Sequence, residues 1–303
     1  IDAGSLPAGI MLRRASGTAL RITGDRALTV RKVTFDNCAP GVLAQSGADF
    51  TLINCRVQNC NAAPSGGGLR SFGGGIVTLL NTYLLLNQST GGQGGALYME
   101  GGGQLIMRDC AVLGNSAAQH GGGFYMDGYS YLTLERCTFG RNRTGQDGGA
   151  FNGEGDATLS RVTIADNRAA GGAGSFAWGG SGATLSFCTI FRNVGTTDGH
   201  ITLGAADVYS HCIVAENRSS LGLSNGDLFS VLGTYNLTDS SPGFQTAASS
   251  RNGLPVFLSP LGWHGGFIPT CMPLAHSPAI DAADPSTSAN LQEARGFWNK
   301  RDG

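Results

Sequence analysis

Short apolar strings recur along the chain, and each ends on an asparagine: Thr-Phe-Asp-Asn37, Val-Gln-Asn59, Leu-Leu-Leu-Asn87, Val-Leu-Gly-Asn115, Phe-Gly-Arg-Asn142, Ile-Ala-Asp-Asn167, Ile-Phe-Arg-Asn193 and Val-Ala-Glu-Asn217, at intervals of 22 to 28 residues. Five positions before the asparagine stand Thr82, Cys110, Cys137, Val162, Cys188 and Cys212, and three before it stand Leu84, Val112, Phe139, Ile164, Ile190 and Val214. Two apolar columns two residues apart are the alternation of a β-strand. Between asparagines, glycine-rich clusters such as Gly95-Ala96, Gly122-Gly123, Gly149-Ala150 and Gly199-His200 each lead into an apolar residue that opens a second strand. A third strand precedes the cysteine column, at Leu105 and Met107, Leu132 and Leu134, Ala157 and Leu159, and Ala183 and Leu185.

Three period-2 strands per repeat, with no helical stretch to supply a crossover, predict one coil of an all-β, right-handed parallel β-helix. Stacked coils pair strand to strand about 4.8 Å apart, so each column becomes a line of touching side chains. A leucine-rich horseshoe lacks its consensus here, and a four-strand propeller blade needs a period of roughly 40 residues. The chain is read as one domain, residues 1–303. Entry coils span 1–34 (Leu20-Arg-Ile22 and Leu28-Thr-Val30 alternate like strands), regular coils span 35–218, and irregular final coils with a cap span 219–303.

Composition removes several classes. Forty-nine glycines with 10 prolines and 14% charged residues fit many turns of a folded protein and neither collagen nor a disordered tract. Net charge is −1, lysine occurs only at Lys32 and Lys300, and no block of like charge marks a nucleic-acid footprint. No apolar run is long enough for a transmembrane helix, and no leader opens the chain at Ile1, so any export signal or anchor is expected outside it. The cysteines show neither a CxxC pair nor zinc spacing. Cys110 with Cys137, and Cys188 with Cys212, fall on consecutive coils and are expected to be free thiols packed as small hydrophobes. The asparagines Asn87, Asn115, Asn142, Asn167, Asn193 and Asn217 are expected to stack as a structural ladder, since asparagine tolerates left-handed backbone angles and can bond its neighbour.

The glycine clusters and Phe139-Gly-Arg-Asn142 with its relatives resemble the GGA and FxxN repeats of polymorphic outer-membrane proteins, over about Gly66 to Asn217. Tyr235-Asn236-Leu237, Ser259-Pro260-Leu261, Gly265-Gly266-Phe267-Ile268-Pro269-Thr270, Ser277-Pro278-Ala279-Ile280-Asp281 and Arg295-Gly296-Phe297 stand in the order found in choice-of-anchor Q domain proteins. That resemblance implies a bacterial secreted or cell-surface β-helix and no catalytic residues. Two features depart from it: Glu293-Ala294 replaces the acidic-Gln pair before Arg295, and the chain stops at Gly303 before the family's Asp-Ile-Gly-Ala close. The anchor is therefore expected beyond this chain.

Candidate chemistry lies on outward positions. With Leu97, Phe124 and Phe151 inward, Tyr98 and Tyr125 point out, as do Glu100, Asp127 and Glu154 two residues later at intervals of 27. Three carboxylates in one column would repel one another or recruit a cation, for which calcium is the natural candidate, unless neighbouring arginines neutralise them. The two tyrosines are candidate ligand contacts, able to stack on sugars. The favoured function is a non-catalytic extracellular or cell-surface solenoid for adhesion, matrix structure or glycan contact. Its partner would be a polysaccharide, a surface protein or further copies of itself. The alternative is a polysaccharide lyase or glycoside hydrolase on the same scaffold. Against it, the paired aspartates, Gly-His-Gly and Arg-x-Lys of polygalacturonases are absent, His200 stands in no such setting, and lysine for α-proton abstraction is nearly absent, although arginine could serve in principle. His120 and His211 read as surface histidines, and no nucleophile elbow is visible.

Overall fold

The computed structural model describes residues 1–6, 9–13, 16–197, 207–221, 232–239 and 249–280. Gly199-His200, and the motif residues from Asp281 onward, lie outside these. Among the described residues every strand-to-strand pairing is parallel, and the strands stack into sheets of thirteen, ten and seven strands. One coil shows the path. Leu97–Glu100 and Gln104–Arg108 belong to the first sheet, Ala111–Leu113 to the second and Ser116–Ala117 to the third.

The strands after the glycine clusters and those before the cysteine column, separate in the first coils, fuse from Phe124–Glu135 onward. Both therefore belong to one sheet. The third sheet consists of two-residue strands just after each asparagine, which the alternation could not reveal because each buries a single small side chain such as Ala117, Thr144 or Ala169.

The core is a set of columns. Leu84, Val112, Phe139, Ile164, Ile190 and Val214 are in register and buried. Beside them Phe124, Phe151 and Phe176 stack with ring centroids 4.7 and 4.8 Å apart, and Phe139 meets Phe151 edge-on at 5.3 Å. All eight cysteines are free and buried. Burial pushes the Cys60 thiol up to about 12 and raises Cys137 and Cys212, and the thiols donate to backbone carbonyls, as Cys110 does to Leu79. The glycine pairs have a steric cause. Gly121 takes φ +68°, and a Cβ on Gly122 would stand 2.3 Å from the carbonyl oxygen of Gly149 in the next coil.

The asparagine ladder is present and runs from Asn87 to Asn217. In each step one asparagine donates its backbone N–H and its side-chain Nδ2 to the Oδ1 of the next asparagine, at 2.8 to 3.0 Å. Two expectations change here. Asn37 and Asn59 are exposed and lie one residue outside the ladder, whose column at those coils is filled by Cys38 and Cys60. The left-handed backbone falls on the residue before each ladder asparagine: Leu86, Gly114, Arg141, Asp166, Arg192 and Glu216. A second left-handed corner precedes the cysteine column, at Asn54, Asn81, Asp109, Arg136, Arg161, Phe187, His211 and Tyr235.

Coil stacking continues past residue 218. Leu232–Thr234 and Leu237–Thr238 still pair with the coil below. The part of the C-terminal segment described from Val256 to Ile280 lies along the side of the solenoid, over the second sheet. Val256, Leu258, Leu261 and Cys271 bury against Ala165, Phe191 and Ala215, Arg141 donates to the Leu261 carbonyl at 2.9 Å, and Tyr83 Oη donates to that of Phe267 at 2.7 Å. Over Val256 to Ile280 it is a strap across small outward residues such as Gly140 and Ala165; the expected cap falls largely on residues outside the described ones.

Candidate functional site

The outward face of the first sheet carries the residues singled out for ligand contact. Tyr98 pairs in register with Tyr125, and Glu100 with Asp127. The two tyrosine rings stack at 5.8 Å with an interplanar angle of 8°. Phe72 meets Tyr98 edge-on at 5.9 Å, with the Arg70 guanidinium 5.0 Å over the Phe72 ring, and His120 lies 6.1 Å from Tyr125. The result is a strip of half-buried aromatic rings running along the rod, with exposed carboxylates beside it.

The electrostatics are those of an acidic surface. Tyr98 Oη donates to Glu100 at 3.3 Å, and burial together with the Glu100 and Asp127 charges pushes its phenol up to about 12. Burial, Asp127 and Glu154 likewise raise Tyr125. Both rings stay neutral hydrogen-bonding groups at any physiological pH. His120 Nδ1 lies 3.5 Å from Asp147 and accepts the Asp147 backbone N–H at 3.3 Å, which orients the ring beside Tyr125.

The expected column of three acids is not formed. Register shifts between Tyr125 and Tyr129, so Glu154 pairs with Tyr129 and Asp156 with Tyr131. The interval from Asn142 to Asn167 is 25 residues, two shorter than the preceding one, and the shortening falls between Asn152 and Glu154. Glu100 and Asp127 remain as neighbours, and among the described residues no group of three metal-capable side chains occurs. Two features of this face escaped the sequence reading: Tyr129, which donates to Asp156 at 2.9 Å, and Tyr131, both about half exposed. The Gly128-Tyr-Ser-Tyr131 string in place of the Gly-Gly-Gly of the coil before was the available signal.

With the stacked parallel coils and the side-chain columns in view, the class of the molecule is defined as a parallel β-solenoid. The family model for the right handed beta helix region matches residues 18–148 and 96–253, and the chain belongs to that family. No curated protein and no solved structure matches the chain. Among the described residues no helix is long and apolar enough to cross a membrane.

Proposed function

We propose that this chain is a non-catalytic, secreted or cell-surface solenoid that holds glycans along the aromatic strip of its first sheet. The stacked Tyr98–Tyr125 pair carries the reading. The stacked rings, fixed to consecutive strands, present an apolar ridge of ring edges to the C–H groups of sugars, while Glu100, Asp127 and the phenols offer acceptors and donors to hydroxyls. Because the strip is set on paired strands, little ordering is required when a ligand binds. The test is a glycan array probed with the wild type and with a Tyr98→Ala/Tyr125→Ala variant, together with a product-release assay on the bound polysaccharides. Binding of defined oligosaccharides that the variant loses, without product formation, is expected. The same array pattern from both proteins sinks the reading.

One observation favours a second reading, a polysaccharide-active enzyme: an imidazole–carboxylate pair, His120 with Asp147, stands beside Tyr125 next to the same strip. It requires turnover that His120→Ala abolishes.

A further inference from the structure

A concavity lies at a corner of the solenoid away from that strip, immediately outside the asparagine ladder. It measures about 320 Å³ and is lined by Arg143, Asp166, Arg168, Arg192, Glu216 and Arg218, with Asn167 and Val194 completing it. Arg143, Arg168, Val194 and Arg218 occupy one register position on four consecutive coils. The guanidinium-bearing positions therefore repeat along the rod at the strand spacing of about 4.8 Å, with one step skipped at Val194. Asp166, Arg192 and Glu216 form the adjacent column at the left-handed corner. Arg192 faces both acids at 3.8 and 4.0 Å, whereas Arg143, Arg168 and Arg218 are exposed and take part in no ion pair among the described residues. Four arginines thus stand against two acids in a chain whose overall charge is close to neutral.

We infer that this corner groove is a binding site for an acidic polysaccharide, lying lengthwise with its carboxylate or sulfate groups on Arg143, Arg168 and Arg218. The arginine fork matches planar oxyanions in bidentate geometry, and a row of forks at the coil spacing suits a ligand whose charges repeat along an extended chain. The two acids narrow the choice. Asp166 and Glu216 would repel a chain charged at every position, but they accept hydroxyls lying between charged groups, which a sugar chain has. Among the described residues no aromatic ring lines the groove, so they offer no stacking platform of the kind on which single-stranded nucleic acids depend. The ladder bonds behind it tie the backbone N–H of Asn167 and of Asn193 to the next amide, so the arginines project from a rigid edge. This site does not depend on the aromatic strip, which lies on another sheet.

The test is titration of the intact chain with size-defined polygalacturonate and with heparin at low ionic strength. Wild type is compared with Arg168→Gln/Arg218→Gln, with Arg143→Gln/Arg192→Gln, and with a control pair, Arg21→Gln/Arg26→Gln, exposed on the entry coils. The expected result is binding that added salt weakens, that each groove pair reduces by at least about tenfold, and that the control pair and Tyr98→Ala/Tyr125→Ala leave unchanged. Unaltered melting temperatures would show that folding is preserved. The inference is overturned if wild type binds neither polymer, if the control pair weakens binding as much as the groove pairs, or if an oligo(dT) of equal charge binds as tightly.

Discussion

Asn142→Ala removes one rung from the middle of the ladder, and the structure allows its cost to be worked out bond by bond. The Asn142 side chain is fully buried. Its Oδ1 accepts the Asn115 N–H at 2.9 Å and the Asn115 Nδ2 at 3.0 Å, while its Nδ2 donates to the Val112 carbonyl and to Asn167 Oδ1, both at 2.9 Å. After truncation the Asn115 amide side chain still reaches the Leu84 carbonyl, and Asn167 Oδ1 still receives the Asn142 backbone N–H. The Asn115 backbone N–H keeps no acceptor. One orphaned buried donor costs about 1–3 kcal/mol, and the small cavity with weakened partners adds about 1 kcal/mol, so a total of about 2–4 kcal/mol is expected. Urea unfolding measures it, with Asn152→Ala as reference, because that half-buried outward residue makes no side-chain hydrogen bond and should cost less than about 0.5 kcal/mol. A solenoid can unfold in sections, so the transition has to be followed by two probes. A loss under about 1 kcal/mol for Asn142→Ala, or equal losses for the two variants, refutes the accounting.

Phe139→Ala should cost about 3–5 kcal/mol in the same assay, because the ring is fully buried between the Phe124 and Phe151 rings; Ile164→Asn should be at least as damaging, since its amide has no partner in that column. Asp36 is nearly fully buried, and bonds from Asn59, then from Arg13, hold its carboxyl below the usual carboxylate range against the opposing effect of burial. With the folded value depressed, its stabilisation is present above the unfolded value near 3.9 and is lost as pH falls through the folded one, so acid unfolding of Asp36→Asn should show a shallower pH dependence below about pH 4. Calcium at millimolar concentration should raise the melting temperature no more than magnesium does, because Glu100 and Asp127 supply only two of the carboxylates expected in one column; a calcium-specific rise abolished by Asp127→Asn would restore the cation reading.

The repeat was legible because its interior columns obey simple rules. Leu84, Val112, Phe139 and Ile164 alternate with outward residues, and the asparagines mark the phase of each coil, so the fold followed from spacing alone. What stayed hidden was set by backbone geometry that side-chain type does not report. Asn37 and Asn59 look like ladder members, yet they take the left-handed corner at φ +54° and +53°, a conformation asparagine also favours. The displacement of Glu154 was half legible: the 25-residue interval announced a two-residue shortening but not its place, and any of the turns in that coil could have absorbed it. The arginine groove was invisible for a related reason. Arg143, Arg168 and Arg218 are separated by whole coils, and only the observed register of the third sheet puts them in one line.

The two left-handed corners explain why chemistry gathers where it does. At each of these two corners every coil holds a residue in a conformation that costs an ordinary side chain about 1–2 kcal/mol, and the stacked amides and paired strands on either side impose it whichever residue is present. Side chains at these positions point away from the core, so their identity is free to serve contacts along the rod. At one corner Arg161 lies over Phe187, which stacks with His211 at 4.7 Å, and His211 stacks with Tyr235 at 5.0 Å. At the other, Asp166, Arg192 and Glu216 line the groove. A substitution there should change surface binding with little change in stability, whereas the residue just inside it, such as Asn167 or Cys188, belongs to a buried column and should do the reverse. The solenoid thus separates the two demands, a variable outward residue and a fixed buried one, by a single step along the chain.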